Sequence, residues 1–232
     1  MILANMGAAA LATYMMFRAA AAEKGGGRKP WLLLAFSGCG FVIVESIRFY
    51  FYMVLGYHWP YIWILVVVAY FFVIFGLTAK FAKVVKSPGS LFRSLIVTGV
   101  LLVSSALVIY FYNSVFKMHD LPPFAFVIVA VVPLADMAIV LLAVYIATTY
   151  AKGVMGRPWV AFAVAAVLST LGDISYFFAG YTYPRYEHIL TDTLYLTTFA
   201  GYMAVATGAF YQRLLIAGRP EKPSEPASNR HG

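Results

Sequence analysis

The sequence predicts an all-α, polytopic membrane protein, a bundle of seven transmembrane helices, and three observations carry that prediction. Apolar stretches of about 20 residues, the length a helix needs to cross the hydrocarbon core, recur along nearly the whole chain. Only 11% of the 232 residues are charged, against roughly 25% in a soluble domain, and the mean hydropathy is +0.82. The cationic residues sit between the apolar stretches and not on one basic face. The net charge of +8 therefore speaks for membrane topology and against nucleic acid as a partner. No strand-like alternation runs through the chain, which argues against a transmembrane barrel.

The spans fall at about 2–22, 31–55, 59–79, 94–115, 124–149, 158–181 and 189–212, with short connections that make successive helices antiparallel neighbours. Lys24, Arg28 and Lys29 follow the first span, Lys80, Lys83, Lys86 and Arg93 the third, and Lys152 and Arg157 the fifth. Arg213, Arg219, Lys222 and Arg230 follow the seventh, while the alternate loops hold only Lys117 and Arg185. The positive-inside bias places the N-terminus outside and the C-terminus in the cytoplasm, with the cell membrane as location. The seven-helix domain covers 1–213. The tail, 214–232, is polar with three prolines and is expected to be disordered.

The first span carries its positive charge after the apolar run, so it reads as a retained helix and not as a signal peptide. Gly7, Ala8, Ala9, Ala10 and Ala12 give it a small-residue face suited to close packing. In the second span Glu45 and Arg48 share a face at i,i+3, with Ser37 eight residues before Glu45 and Tyr52 seven after it. The third span is aromatic and aliphatic, with Trp59, Tyr61 and Trp63 as interfacial anchors at its outer end. The fourth holds Ser104, Ser105, Tyr110 and Asn113, whose serines are expected to bond back to their own helix. Cys39, the one cysteine, reads as a small apolar residue within a span.

The acidic residues of the last three spans are the strongest pointer to a site. An ionisable group in mid-bilayer costs on the order of 2.5–3.5 kcal/mol, so it needs a partner or a polar cavity. Asp136 follows Pro133 by one turn in the fifth span, and the proline removes a backbone hydrogen bond and kinks the helix. Asp173 shares a face with Tyr176 and Phe177 in the sixth. Asp192, Tyr195, Phe199 and Tyr202 form one helical stripe in the seventh. Asp173 and Asp192 lie at similar depth in the outer leaflet and are expected to meet, bridged by tyrosine hydroxyls.

Several chemistries lack their residues. The seventh span has no lysine for a retinal Schiff base. His58, His119 and His188 fall at or near loops and His231 in the tail, which disfavours transmembrane haem and an intramembrane zinc site. No cofactor, metal or catalytic residue is expected. Paired carboxylates are compatible with acid–base work, but no nucleophile or metal set accompanies them, so an enzyme is not the expected class.

The pattern 133-PLAD-136, 172-GDISY-176 and 192-DTLYLTTFAGY-202 resembles the seven-helix membrane input module of bacterial and archaeal sensor histidine kinases and cyclic-di-GMP signalling proteins. That module carries a proline followed by aspartate in its fifth span, small–Asp followed by an aromatic in its sixth, and Asp, an aromatic three residues on and small–Tyr in its seventh. The likeness covers about 90 residues and carries roles over to Asp136, Asp173, Tyr176, Asp192, Tyr195 and Tyr202. Family members continue into a PAS, kinase or cyclase domain, whereas this sequence stops shortly after its last span, so a stand-alone sensor is implied.

The expected site is an outer-leaflet pocket formed by Glu45, Arg48, Asp136, Asp173, Asp192, Tyr176, Tyr195 and Tyr202. It would take a small polar or cationic ligand, or a lipid headgroup, and signal through a cytoplasmic or membrane partner protein. A proton- or cation-coupled transporter or channel is the first alternative, since intramembrane acids mark such pathways. A structural or accessory subunit of a membrane complex is the second, with the acids only pinning helices together.

Overall fold

The computed structural model describes residues 1–23, 27–55, 62–84, 123–150, 153, 156–181 and 187–218. The elements among them are all helical: α1 (Ile2–Ala22), α2 (Arg28–Phe49), α3 (Ile62–Val84), α4 (Pro123–Tyr150), α5 (Arg157–Tyr181) and α6 (Glu187–Ala217), with a π-helical turn over Tyr50–Val54 prolonging α2. The predicted fourth span, the residues before α3 that include Trp59 and Tyr61, and the tail from 219 lie outside the described residues.

Local sequence accounts for the helix starts. Pro30, Pro123 and Pro158 stand in the first turn of α2, α4 and α5, where a missing N–H costs nothing and the fixed φ is already helical. Pro133 sits inside α4. The seventh predicted span ends at 212, whereas α6 runs on to Ala217, because 214-LLIA is apolar and helix-favouring.

Among the described residues four stretches are long and apolar enough to cross a membrane: Arg28–Val54, Ile64–Phe81, Val131–Tyr150 and Arg157–Ser175. They correspond to the second, third, fifth and sixth predicted spans and mark a membrane protein. Ile43, Phe71, Phe75, Val164 and Leu196 are exposed, an apolar exterior suited to lipid and costly in water. α1 and α6 coincide in position with the first and seventh predicted spans.

Each helix packs against its neighbours in chain order, and α6 returns to pack against α1, so the described helices close into a ring. α1 contributes its small face, with Ala8, Ala9, Ala12, Ala19 and Ala20 buried. Gly7 and Ala10, expected on that face, point outward, since the buried set follows the helical period through Asn5, Thr13 and Met16. Glu23, just past α1, meets Gln212 near the end of α6 at 2.6 Å, so these two helices run parallel. α3 and α4 are parallel as well: Phe81 packs on Tyr145 with ring centroids 4.8 Å apart.

At one end of the ring the bundle is closed by aromatic packing. Trp31 and Trp159 are each 1% exposed, with centroids 5.3 Å apart, and Phe162 lies 5.5 Å from Trp31 and 5.7 Å from Trp159. The Lys80 ammonium stands 5.0 Å from the rings of both Tyr150 and Trp159, a cation–π sandwich.

Glycines set the close approach of α5 and α6. A Cβ on Gly208 would stand 2.7 Å from the carbonyl oxygen of Pro158 and 3.1 Å from the Ala161 Cβ. Backbone cannot step aside cheaply, so Gly208→Ala is expected to lower stability by about 1–3 kcal/mol. Gly7→Ala, which meets nothing within 4 Å, should gain about 0.8–1 kcal/mol from helix propensity. Thermal unfolding of the two variants in detergent checks the pair, and equal melting temperatures would contradict the close packing.

Candidate functional site

The ring encloses a cavity of about 120 Å³ to which all six described helices contribute. On α2 the lining residues are Leu34, Ser37, Gly38, Phe41, Val44, Glu45 and Arg48, the i, i+3, i+4, i+7 stripe of a helix turned toward a core. Val66, Tyr70, Val73 and Leu77 of α3 repeat that register, as do Asp136, Ile139 and Ala143 of α4 and Phe162, Ala165, Ala166, Ser169 and Asp173 of α5.

The polar groups gather away from the tryptophan-sealed end. The Tyr70 hydroxyl donates to Asp173 Oδ2 at 2.6 Å, and Asp136 is a close neighbour of both Tyr70 and Asp173. On the same cavity wall, Arg48 Nη1 donates to Glu45 Oε1 at 3.2 Å, and the Tyr202 hydroxyl donates to the same oxygen at 3.3 Å. Glu45 is 1% exposed and Arg48 14%. The Phe41 ring stands between the two tyrosines, 5.8 Å from Tyr70 and 6.0 Å from Tyr202.

Most helical hydroxyls are satisfied within their own helix. Ser46, Thr149, Ser175, Thr193, Thr197 and Thr207 each donate to the carbonyl four residues back, the usual arrangement in apolar surroundings. Ser37 Oγ and Thr170 Oγ1 break this rule, and Glu45 Oε2, Gln212 Oε1 and both amide atoms of Asn5 are likewise buried without a partner. Of these, Ser37 Oγ and Glu45 Oε2 stand on the cavity wall. Buried polar atoms are rarely left so, and a ligand or waters in the cavity would complete these two.

Of the residues singled out in the sequence, Glu45, Arg48, Asp136, Asp173 and Tyr202 line this one cavity. Asp192 does not: it is exposed and absent from the lining. The geometry of α6 explains the difference. The cavity-facing residues Leu194, Thr198, Gly201 and Val205 centre on a direction roughly 150° round the helix from Asp192, at 100° per residue. Tyr202 falls at the edge of that face and Asp192 beyond it. The expected Asp173–Asp192 meeting is thus replaced by Asp173 with Tyr70 and Asp136. Tyr195 is buried but is not among the lining residues, and the Tyr176 side chain lies outside the described residues. Tyr52 is exposed, carried off the Glu45–Arg48 face by the π-helical turn.

Tyr70 was not anticipated. Its signal is nonetheless present, because it is the one hydroxyl in the aliphatic run 64-ILVVVAYFFVIFGL-77. Ser169 and Phe41 carried no comparable mark. Among the described residues no group of three or more His, Cys, Asp or Glu is close enough to hold a metal ion.

No family model matches the chain, and no curated protein and no solved structure matches it either.

Proposed function

We propose that the chain is a seven-helix sensor module of the cell membrane, with its N-terminus outside, that binds a small molecule in this cavity and signals through a partner protein. One observation carries the reading: acids, a guanidinium and two tyrosines from five helices converge on a single space in which buried polar atoms are left without partners. The parallel courses of α1 with α6 and of α3 with α4 are what a chain of seven crossings requires, and they support the topology. The family likeness of the last three spans supports the sensing role.

The test is ligand-dependent stabilisation of the full chain in detergent. Small amines, carboxylates and alcohols are screened by thermal unfolding. At least one class is expected to raise the melting temperature of the parent and of Asp192→Asn, and to lose its effect in Asp136→Asn and Asp173→Asn. If the two cavity variants respond as the parent does, the cavity is not the binding site.

A second reading, proton or cation transport, is favoured by one specific contact, the Asp136–Tyr70–Asp173 group, since neighbouring acids linked by a hydroxyl are the parts of a proton relay. Reconstitution into liposomes holding a pH-sensitive dye separates the readings: a sensor shows no flux under a gradient of either sign.

A further inference from the structure

We infer that the ligand of this cavity is a compact organic monocation, an ammonium group with small alkyl substituents. The inference rests on the reading of the cavity as a ligand site and adds the chemical class.

Charge is the first argument. Glu45, Asp136 and Asp173 face a single described cation on the cavity wall, Arg48. Among the described lining residues acids thus outnumber cations, in a space walled mostly by Leu, Val, Ile, Ala and Phe side chains. A buried acid in such surroundings needs a countercharge or a proton, and a bound cation supplies the first.

The wall itself is the second argument. Phe41, Tyr70 and Tyr202 line the cavity, with Phe41 packed on both tyrosines, and aromatic faces attract ammonium groups, most of all when desolvated. The unpaired Glu45 Oε2 and Ser37 Oγ are acceptors for N–H or for the polarised C–H of an alkylammonium. Size is the third argument. At about 120 Å³ the cavity lies below the roughly 300–1,000 Å³ of pockets for drug-sized molecules. A bare metal ion is a poor fit, since the described carboxylates do not converge as ligands for one.

The experiment uses the purified full chain in detergent and three probes of similar size at matched ionic strength: tetramethylammonium chloride, sodium acetate and tert-butanol. Tetramethylammonium is expected to raise the melting temperature along a saturating curve, and the other two are not. Glu45→Gln is expected to weaken the apparent affinity about tenfold or more by removing the countercharge. Should that variant not fold, Phe41→Leu decides, because it removes the ring and keeps the apolar volume. Stabilisation by acetate or tert-butanol without tetramethylammonium would overturn the cation and leave the ligand site standing. An equal tetramethylammonium effect in parent, Glu45→Gln and Phe41→Leu would place the cation elsewhere and overturn the inference. If no probe acts, and the screen that tests the cavity also finds nothing, both readings fall together.

Discussion

Arg48→Met is expected to destabilise the protein by about 3–5 kcal/mol, the penalty for removing one partner of a buried ion pair. Glu45 is 1% exposed, and without the guanidinium its Oε1 keeps only the 3.3 Å bond from Tyr202. The loss comes from stranding the acid and not from the intrinsic worth of the pair. Adding Glu45→Gln to Arg48→Met should therefore restore most of the stability, because replacing both members of a buried pair is often near neutral. Unfolding in detergent measures both variants against Arg157→Ala, whose residue is exposed and whose change should stay within about 0.5 kcal/mol. A single variant no worse than Arg157→Ala would mean that Glu45 is not held as described.

Trp159→Ala is the second large effect, again about 3–5 kcal/mol. The side chain is 1% exposed and packs on Trp31 and Phe162 while carrying the Lys80 ammonium on its face. Truncation opens a void at the joint of α2, α3 and α5, and lipid tails cannot refill it from outside the ring. The loss should show as a lowered melting temperature. Phe75→Ala, at an exposed position on α3, removes a comparable ring from the exterior and should barely move it. Equal effects at the two sites would contradict the closed aromatic end.

The helices were legible because lipid makes the demand simple: a run of about 20 apolar residues has one stable arrangement. Residues 2–22 and 158–181 fall within a residue of α1 and α5. Pairing was harder to see. Depth along a helix follows from counting, which is why Asp136, Asp173 and Glu45 were brought to one region. Rotation about the axis does not, and a stripe such as Asp192, Tyr195, Phe199 and Tyr202 spans enough of the circumference that its two ends face different surroundings. Tyr70 was hidden for another reason. Its partner is 103 residues away in sequence, and nothing in α3 itself announces an acid on α5. The same holds for the Glu23–Gln212 contact across 189 residues.

The π-helical turn over Tyr50–Val54 has a consequence for how α2 is used. A π turn winds more slowly than an α turn, so residues within it drift off the face that the α-helix presents up to Arg48. α2 thus presents one continuous seam to the interior from Leu34 to Arg48, while Tyr50, Tyr52 and Met53 of the π-helical turn that prolongs it face the outside. The helix works as two segments with separate phase: one is indexed to the charged cavity, the other to the surroundings of the bundle. Side chains on the π-helical segment can change without disturbing Glu45 and Arg48, because the exposed ones, Tyr50, Tyr52 and Met53, face away from the cavity.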